Sequence, residues 1–223
     1  MINSLALLIG GDAEIYAIIG RSLLVSGTAV ALAAVLGGSL GIWIALTPFR
    51  GRRLIINILN TMMGLPPVVV GLVVYLLLSR SGPLGALRLL FTPSAMILAQ
   101  TVLAAPIVAA LTVSALLSVD PKIRDKAISL GANERQAAWI VVREARFALM
   151  AAVIAGFGRV NAEVGAVMMV GGNIAGYTRV MTTTIVLVTS QGRFELAIAL
   201  GVVLITLAFL INLLLQILQG GRG

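Results

Sequence analysis

Residues 120–139, DPKIRDKAISLGANERQAAW, form the centre of the longest polar stretch in an otherwise apolar chain. Asp120 ahead of Pro121 reads as an N-cap followed by a first helical position, where proline's missing N–H would have no partner in any case. The helix that starts there should run to about Leu130 and stop at Gly131, which can adopt the left-handed backbone of a helix C-terminus. Asn133 then caps a second helix, with Gln136 three residues later in capping-box position. That helix should continue through Trp139 into the apolar run beyond. The whole loop, Ser118 to Arg146, therefore reads as helix, glycine turn and helix between two hydrophobic segments.

Outside this loop the chain is hydrophobic to a degree that soluble domains do not reach. Of its 223 residues 60% are hydrophobic and 11% charged, where soluble domains run near half and a quarter. Apolar stretches longer than eighteen residues recur, which is the pattern of membrane spans. Five are read: Ser22–Leu46, Ile55–Leu78, Pro93–Leu117, Phe147–Val170 and Leu196–Leu218. Each suffices to cross roughly 30 Å of hydrocarbon at about 1.5 Å per residue. The expected fold is an all-α integral membrane protein of about five transmembrane helices over residues 21–218. Residues 1–20 are expected to lie apart, because Ile2–Ile19 is interrupted by Gly10, Gly11, Asp12 and Glu14 and suits an interfacial helix. They carry no basic n-region, so no removable signal peptide is expected. The run Thr182–Thr189 is too short to cross and suits a re-entrant or surface helix.

The formal charge is +8, but the basic residues sit in short loops between spans, where they set orientation and do not call for a nucleic-acid partner. Arg50, Arg52 and Arg53 fall in one loop, and Lys122, Arg124, Lys126, Arg135, Arg143 and Arg146 in another. With five spans these loops share a side with Arg222, and the positive-inside rule makes that side cytoplasmic. The N-terminus is then outside and the C-terminus inside.

Several chemistries are excluded by composition. There is no Cys and no His, which removes zinc sites, thiol redox chemistry and His-based triads. The only lysines, Lys122 and Lys126, follow Pro121 and Asp125, so no Gly-Lys-Ser/Thr phosphate loop exists. No cofactor is expected in this chain, and any ATP must be bound by a separate polypeptide.

Polar groups within the spans mark the candidate pathway. Arg159, Asn161 and Glu163 lie in the middle of the fourth span, and an ionisable group at mid-bilayer costs about 2.5–3.5 kcal/mol on insertion scales. Arg159 and Glu163 are i and i+4, so on one continuous helix they share a face and pair. The pairing would lock the bundle or serve the pathway, and it would cancel most of the field by which Arg159 could attract an anion. Gly158, Ala162 and Ala166 repeat at four-residue spacing, the small-xxx-small pattern of close helix approach. A helix with one charged and one small face implies a second copy of the chain. Pro66 and Pro67, with Gly64 before and Gly71 after, should kink or break the second span, and Pro106 sits at the centre of the third. Together these suggest a cavity with movable walls.

The glycine-turn loop resembles that of type I ABC-importer permeases, which carries E-A-A, three residues and Gly-Ala before the penultimate span. The matching residues are Asp125-Lys126-Ala127, Ile128-Ser129-Leu130 and Gly131-Ala132, with Val141 at a later Ile position. Asp stands for Glu, Lys for the first Ala, and Arg143-Glu144 where the family has Leu-Pro. The resemblance implies that Asp125, Ala127, Gly131, Ala132 and Val141 belong to a cytoplasmic coupling helix and its support, which dock on an ATPase. Over roughly Ser22 to Leu215 the chain is similar to the molybdate and tungstate group: Leu65-Pro66-Pro67-Val68-Val69-Val70-Gly71, Glu163-Val164-Gly165-Ala166 and Gly171-Gly172-Asn173-Ile174. Gly156-Phe157-Gly158-Arg159, taken with the Glu163 to Ile174 segment, most resembles the tungstate-type permeases. What this implies is import of an oxyanion by a permease dimer, two ATPase subunits and an extracytoplasmic oxyanion-binding protein in a bacterial or archaeal cytoplasmic membrane. Tungstate is the first expectation, molybdate and sulfate the next. A secondary transporter using Glu163 for protons is the rival, but matching inverted halves are not visible. A membrane enzyme would need a denser polar cluster, and a scaffold would not need the Gly131 hairpin.

Overall fold

The computed structural model describes residues 13–218, and it is helical throughout. The helices are α1 (Ala13–Leu46), α2 (Arg52–Met63), α3 (Pro67–Leu78), α4 (Pro93–Leu117), α5 (Pro121–Ser129), α6 (Glu134–Glu144), α7 (Arg146–Asn161), α8 (Gly165–Gly171), α9 (Met181–Ser190) and α10 (Phe194–Leu218). A single 3₁₀ turn, Gly85–Leu87, lies between α3 and α4. Three helices, α1, α4 and α10, are long and apolar enough to cross a membrane, and up to five crossings result if each of two bent pairs counts as one.

α4 is the centre of the bundle. Thr92 caps it by accepting from the Ala95 N–H, Pro93 takes the first position, and most of its length is buried. Its expected bounds coincide with the observed ones. Pro106 sits inside without breaking it, buried among neighbouring helices. α1 lies along α4 at a distance only glycine permits. A Cβ on Gly37 would come within 2.4 Å of the Ala105 carbonyl oxygen, and one on Gly41 within 2.7 Å of that of Ala109. This is a small-xxx-small contact, made by Gly37 and Gly41.

The structure redraws several expected boundaries, while the break at Pro66 and Pro67 is as expected. First, Ala13–Ile19 is no separate interfacial element but the start of α1, so the boundary expected at residue 20 falls inside a helix; residues 1–12 lie outside the described part. At about 1.5 Å per residue α1 runs ~50 Å, well beyond the hydrocarbon. Its N-terminal third is held by polar contacts: Arg21 donates to the carbonyls of Arg179 and Gly176, Arg179 pairs with Glu14, and the Ser22 hydroxyl accepts from the Met181 N–H. Second, the span expected at Ile55–Leu78 is two helices, α2 and α3, at 101°. Third, the span expected at Phe147–Val170 is α7 and α8, bent by 61° after Asn161. The row Gly158, Ala162, Ala166 therefore does not form one helical face. Nor does α6 run unbroken into α7, because the helix is interrupted at Ala145.

The short apolar helix expected near Thr182–Thr189 is α9, which packs on α10, and the fifth span is α10 itself. Leu24, Leu32, Leu36, Ile205 and Phe209 face outward, as a lipid-facing surface requires.

Candidate functional site

The two breaks meet. At the first, Pro66 and Pro67 lack amide donors, and the Val69 and Val70 amides both turn to the Pro66 carbonyl. The Leu65 carbonyl then has no amide of its own helix. Arg159, the third-last residue of α7, supplies the missing donor: its Nη2 donates to Leu65 O at 3.2 Å. At the second break, Glu163 lies past the end of α7, and its Oε1 accepts from the Ala166 N–H at 2.9 Å, satisfying the start of α8. α3 and α8 then press together. A Cβ on Gly71 would stand 2.7 Å from Ala166 Cα, and one on Gly165 2.7 Å from Val68 Cγ2.

This geometry separates the residues expected to pair. Arg159 and Glu163 form no ion pair, because the helix that would align them ends at Asn161. No carboxylate among the described residues comes within 4.0 Å of the Arg159 guanidinium. Pro66, Pro67, Arg159 and Glu163 are brought together. Asn161 faces elsewhere, into a small cavity shared with Ser22, Ser26 and Gln100. Pro106 belongs to the region where α1 and α4 pack. Gly64, Pro66, Gly158 and Ala162 are exposed, so residues at both breaks reach the surface.

Gln100 was not singled out in the sequence, although a glutamine amid a span is signal enough. It is buried in α4, and its Nε2 donates to the Val160 carbonyl at the end of α7, at 3.4 Å. Gly37 and Gly41 were also missed; their four-residue spacing is the sign that could have found them.

The glycine-turn loop has the expected local structure. The Asp120 side chain accepts from Lys122 N–H, and Gly131 sits at φ +92°. Ala132 N–H bonds Ala127 O and Gly131 N–H bonds Ile128 O, the two bonds of a Schellman motif. Asn133 and Gln136 cap each other's amides at 2.9 Å, and Arg124 pairs with Glu134 across the turn. Around Gly131 and Ala132 runs an open groove of about 690 Å³, walled by Leu130 and Trp139, which are 89% and 66% exposed. Asp125 is exposed beside it, and Ala127 is buried in the turn. Val141 faces the other way, buried against Ala45, Leu116 and Ala145. It ties the loop to the C-terminal ends of α1 and α4.

Comparison with known proteins is decisive. Residues 37–221 match the family of binding-protein-dependent transport system inner membrane components. The chain belongs to this family. As a member of it, the chain is a multi-pass membrane permease subunit, and its partners are a substrate-binding protein and an ATPase. Among individual relatives, the tungstate uptake system permease protein TupB of Peptoclostridium acidaminophilum is 44% identical, over 97% of this chain and 95% of that one. A probable anion ABC transporter permease protein of Haloferax volcanii is 46% identical over 86% of this permease and 85% of its own length. The fold is also that of a chain in the crystal structure of a bacterial ABC transporter involved in the import of the acidic polysaccharide alginate. There the TM-score is 0.79 at 19% identity, covering 97% of this permease and 82% of that chain.

Proposed function

We propose that this permease translocates an oxyanion, tungstate first, through a pathway lined by the two helix breaks. The observation that carries the pathway is the bond from Arg159, beside the Ala162–Val164 break, to the Leu65 carbonyl at the Leu65–Pro67 break, with exposed residues at both. Non-helical backbone at membrane depth is tolerated where it is buried in protein or lines a cavity. The choice of tungstate is supported by likeness to a tungstate uptake permease along nearly the whole chain. Two copies would face each other across these exposed residues, each seated on one of two ATPase subunits through the Gly131 turn. Leu130 and Trp139, large apolar side chains exposed around that turn, suit such a contact. An extracytoplasmic oxyanion-binding protein would deliver the solute. The loop charges support an orientation with the N-terminus outside and the C-terminus in the cytoplasm.

The test is ATP-dependent uptake by proteoliposomes holding this permease, its ATPase and its binding protein, with tungstate, molybdate and sulfate in competition. Preference for tungstate is expected. Preference for molybdate or sulfate would keep the machine and change the solute, and uptake driven by a proton gradient without ATP would overturn the reading.

A further inference from the structure

Arg159 has no counter-charge among the described residues. Arginine carries five N–H donors and stays ionised in proteins. In this structure one Arg159 nitrogen serves the Leu65 carbonyl, and Nε is buried with no partner at all. The only nearby acid in sequence, Glu163, has its Oε1 occupied by the Ala166 amide. Arg159 is half-buried with its Nε edge unpartnered, so the guanidinium keeps donors free for an anion that reaches it. The residue is only partly covered, and its exposed neighbours Gly158 and Ala162 are too small to obstruct approach.

We propose that Arg159 is the permease's own contact for the travelling oxyanion, a transient guanidinium site at the helix breaks. The inference rests on the proposed transport function and adds to it the residue that meets the solute. Guanidinium is suited to the task because its planar fork matches an oxyanion with two parallel hydrogen bonds. Its bond to Leu65 O is to a neutral carbonyl, which an arriving dianion can replace. Because Leu65 O would then be released, binding would loosen the clasp between α7 and the start of α3. Weak binding is an advantage at such a point, since a permeating ion must leave as well as enter. Glu163 takes the opposite role: it is a helix-capping residue and does not neutralise the site.

Because the chain has no cysteine, Ala162→Cys gives a unique thiol next to Arg159. In the assembled transporter it should react with an anionic methanethiosulfonate reagent about tenfold faster than with a cationic one, as an unneutralised local charge dictates. Tungstate should slow that reaction. Adding Arg159→Gln should bring the ratio close to one. In otherwise native protein, Arg159→Gln should cut uptake by about tenfold or more while Arg159→Lys retains part of it, the charge being kept but the fork lost. A ratio near one with Arg159 present, no reaction with either reagent, or native uptake by the Arg159→Gln form would overturn the proposal. The glutamine can still donate a hydrogen bond, so a purely structural role would leave the reagent ratio governed by other charges and unmoved by the change. If the permease imports an anion other than tungstate, the ratio stays high and that anion protects the thiol; import of a neutral solute overturns both readings.

Discussion

The α1–α4 pair and the α3–α8 pair are both closed by glycine, yet they are built for opposite purposes. Gly37 and Gly41 bring two unbroken helices of 34 and 25 residues into backbone contact. Apart from the Val102 carbonyl, whose amide partner Pro106 lacks, and a Thr101 hydroxyl bond to the Ala29 carbonyl, that seam is made by packing of helices that keep their own ladders. Gly71 and Gly165 bring together helices of 12 and 7 residues, each beginning at a break. There backbone groups depend on borrowed partners, Arg159 for Leu65 O and Glu163 for the Ala166 amide. A bond borrowed from a side chain can be exchanged for another, whereas a helix's own ladder cannot. On the proposed transport function, the first pair would serve as scaffold and the second as the part that moves.

The largest effect is expected at the scaffold. In Gly37→Leu the new side chain starts 2.4 Å from a main-chain oxygen that cannot swing aside. The loss should exceed the about 1–3 kcal/mol usual for overpacking, and little monodisperse permease should survive detergent extraction and size-exclusion chromatography. A normal yield and thermal midpoint would break the comparison. Gly71→Leu meets Ala166 Cα at 2.7 Å, but α8 is short and its anchors exchangeable. This form should fold, with its midpoint lowered by about 2–4 °C, the equivalent of ~1 kcal/mol for a chain of this size. It should transport poorly. Loss of folding equal to that of Gly37→Leu would show that both seams are scaffold. The smallest effect belongs to Glu163. Glu163→Ala removes an amide's acceptor and should cost about 0.5–2 kcal/mol, as lost helix caps do, while Glu163→Gln keeps an acceptor and should recover most of it in the same thermal assay. Equal loss in both would mean that the charge matters and not the hydrogen bond.

The same contrast explains what could be read from the sequence. Where local chemistry decides, the sequence is legible: Pro93 marks the start of α4, and Asp120, Gly131, Asn133 and Gln136 shape the glycine turn through contacts a few residues long. The first break announced itself through Gly64, Pro66 and Pro67, although its 101° angle did not. The second break carries no proline. Asn161-Ala162-Glu163-Val164 could continue a helix, and it stops because Gly165 and Ala166 are drawn onto Val68 and Gly71 of a distant segment. Assuming continuity there paired Arg159 with Glu163, and the error lay in tertiary packing that no local signal reports. Asn161 went astray for the same reason: its neighbours in sequence line the break while it faces Ser22 and Gln100.

One consequence of the groove beside Gly131 is optical. The chain has two tryptophans. Trp43 is stacked on Phe49 with ring centroids 5.0 Å apart, and Trp139 forms a wall of the groove beside Gly131. The two indoles thus occupy different surroundings, and only one of them lies where another protein would seat. Replacing Trp43 by phenylalanine leaves a single emitter whose wavelength reports whether water or a partner covers the turn, giving this permease a built-in docking signal that needs no dye.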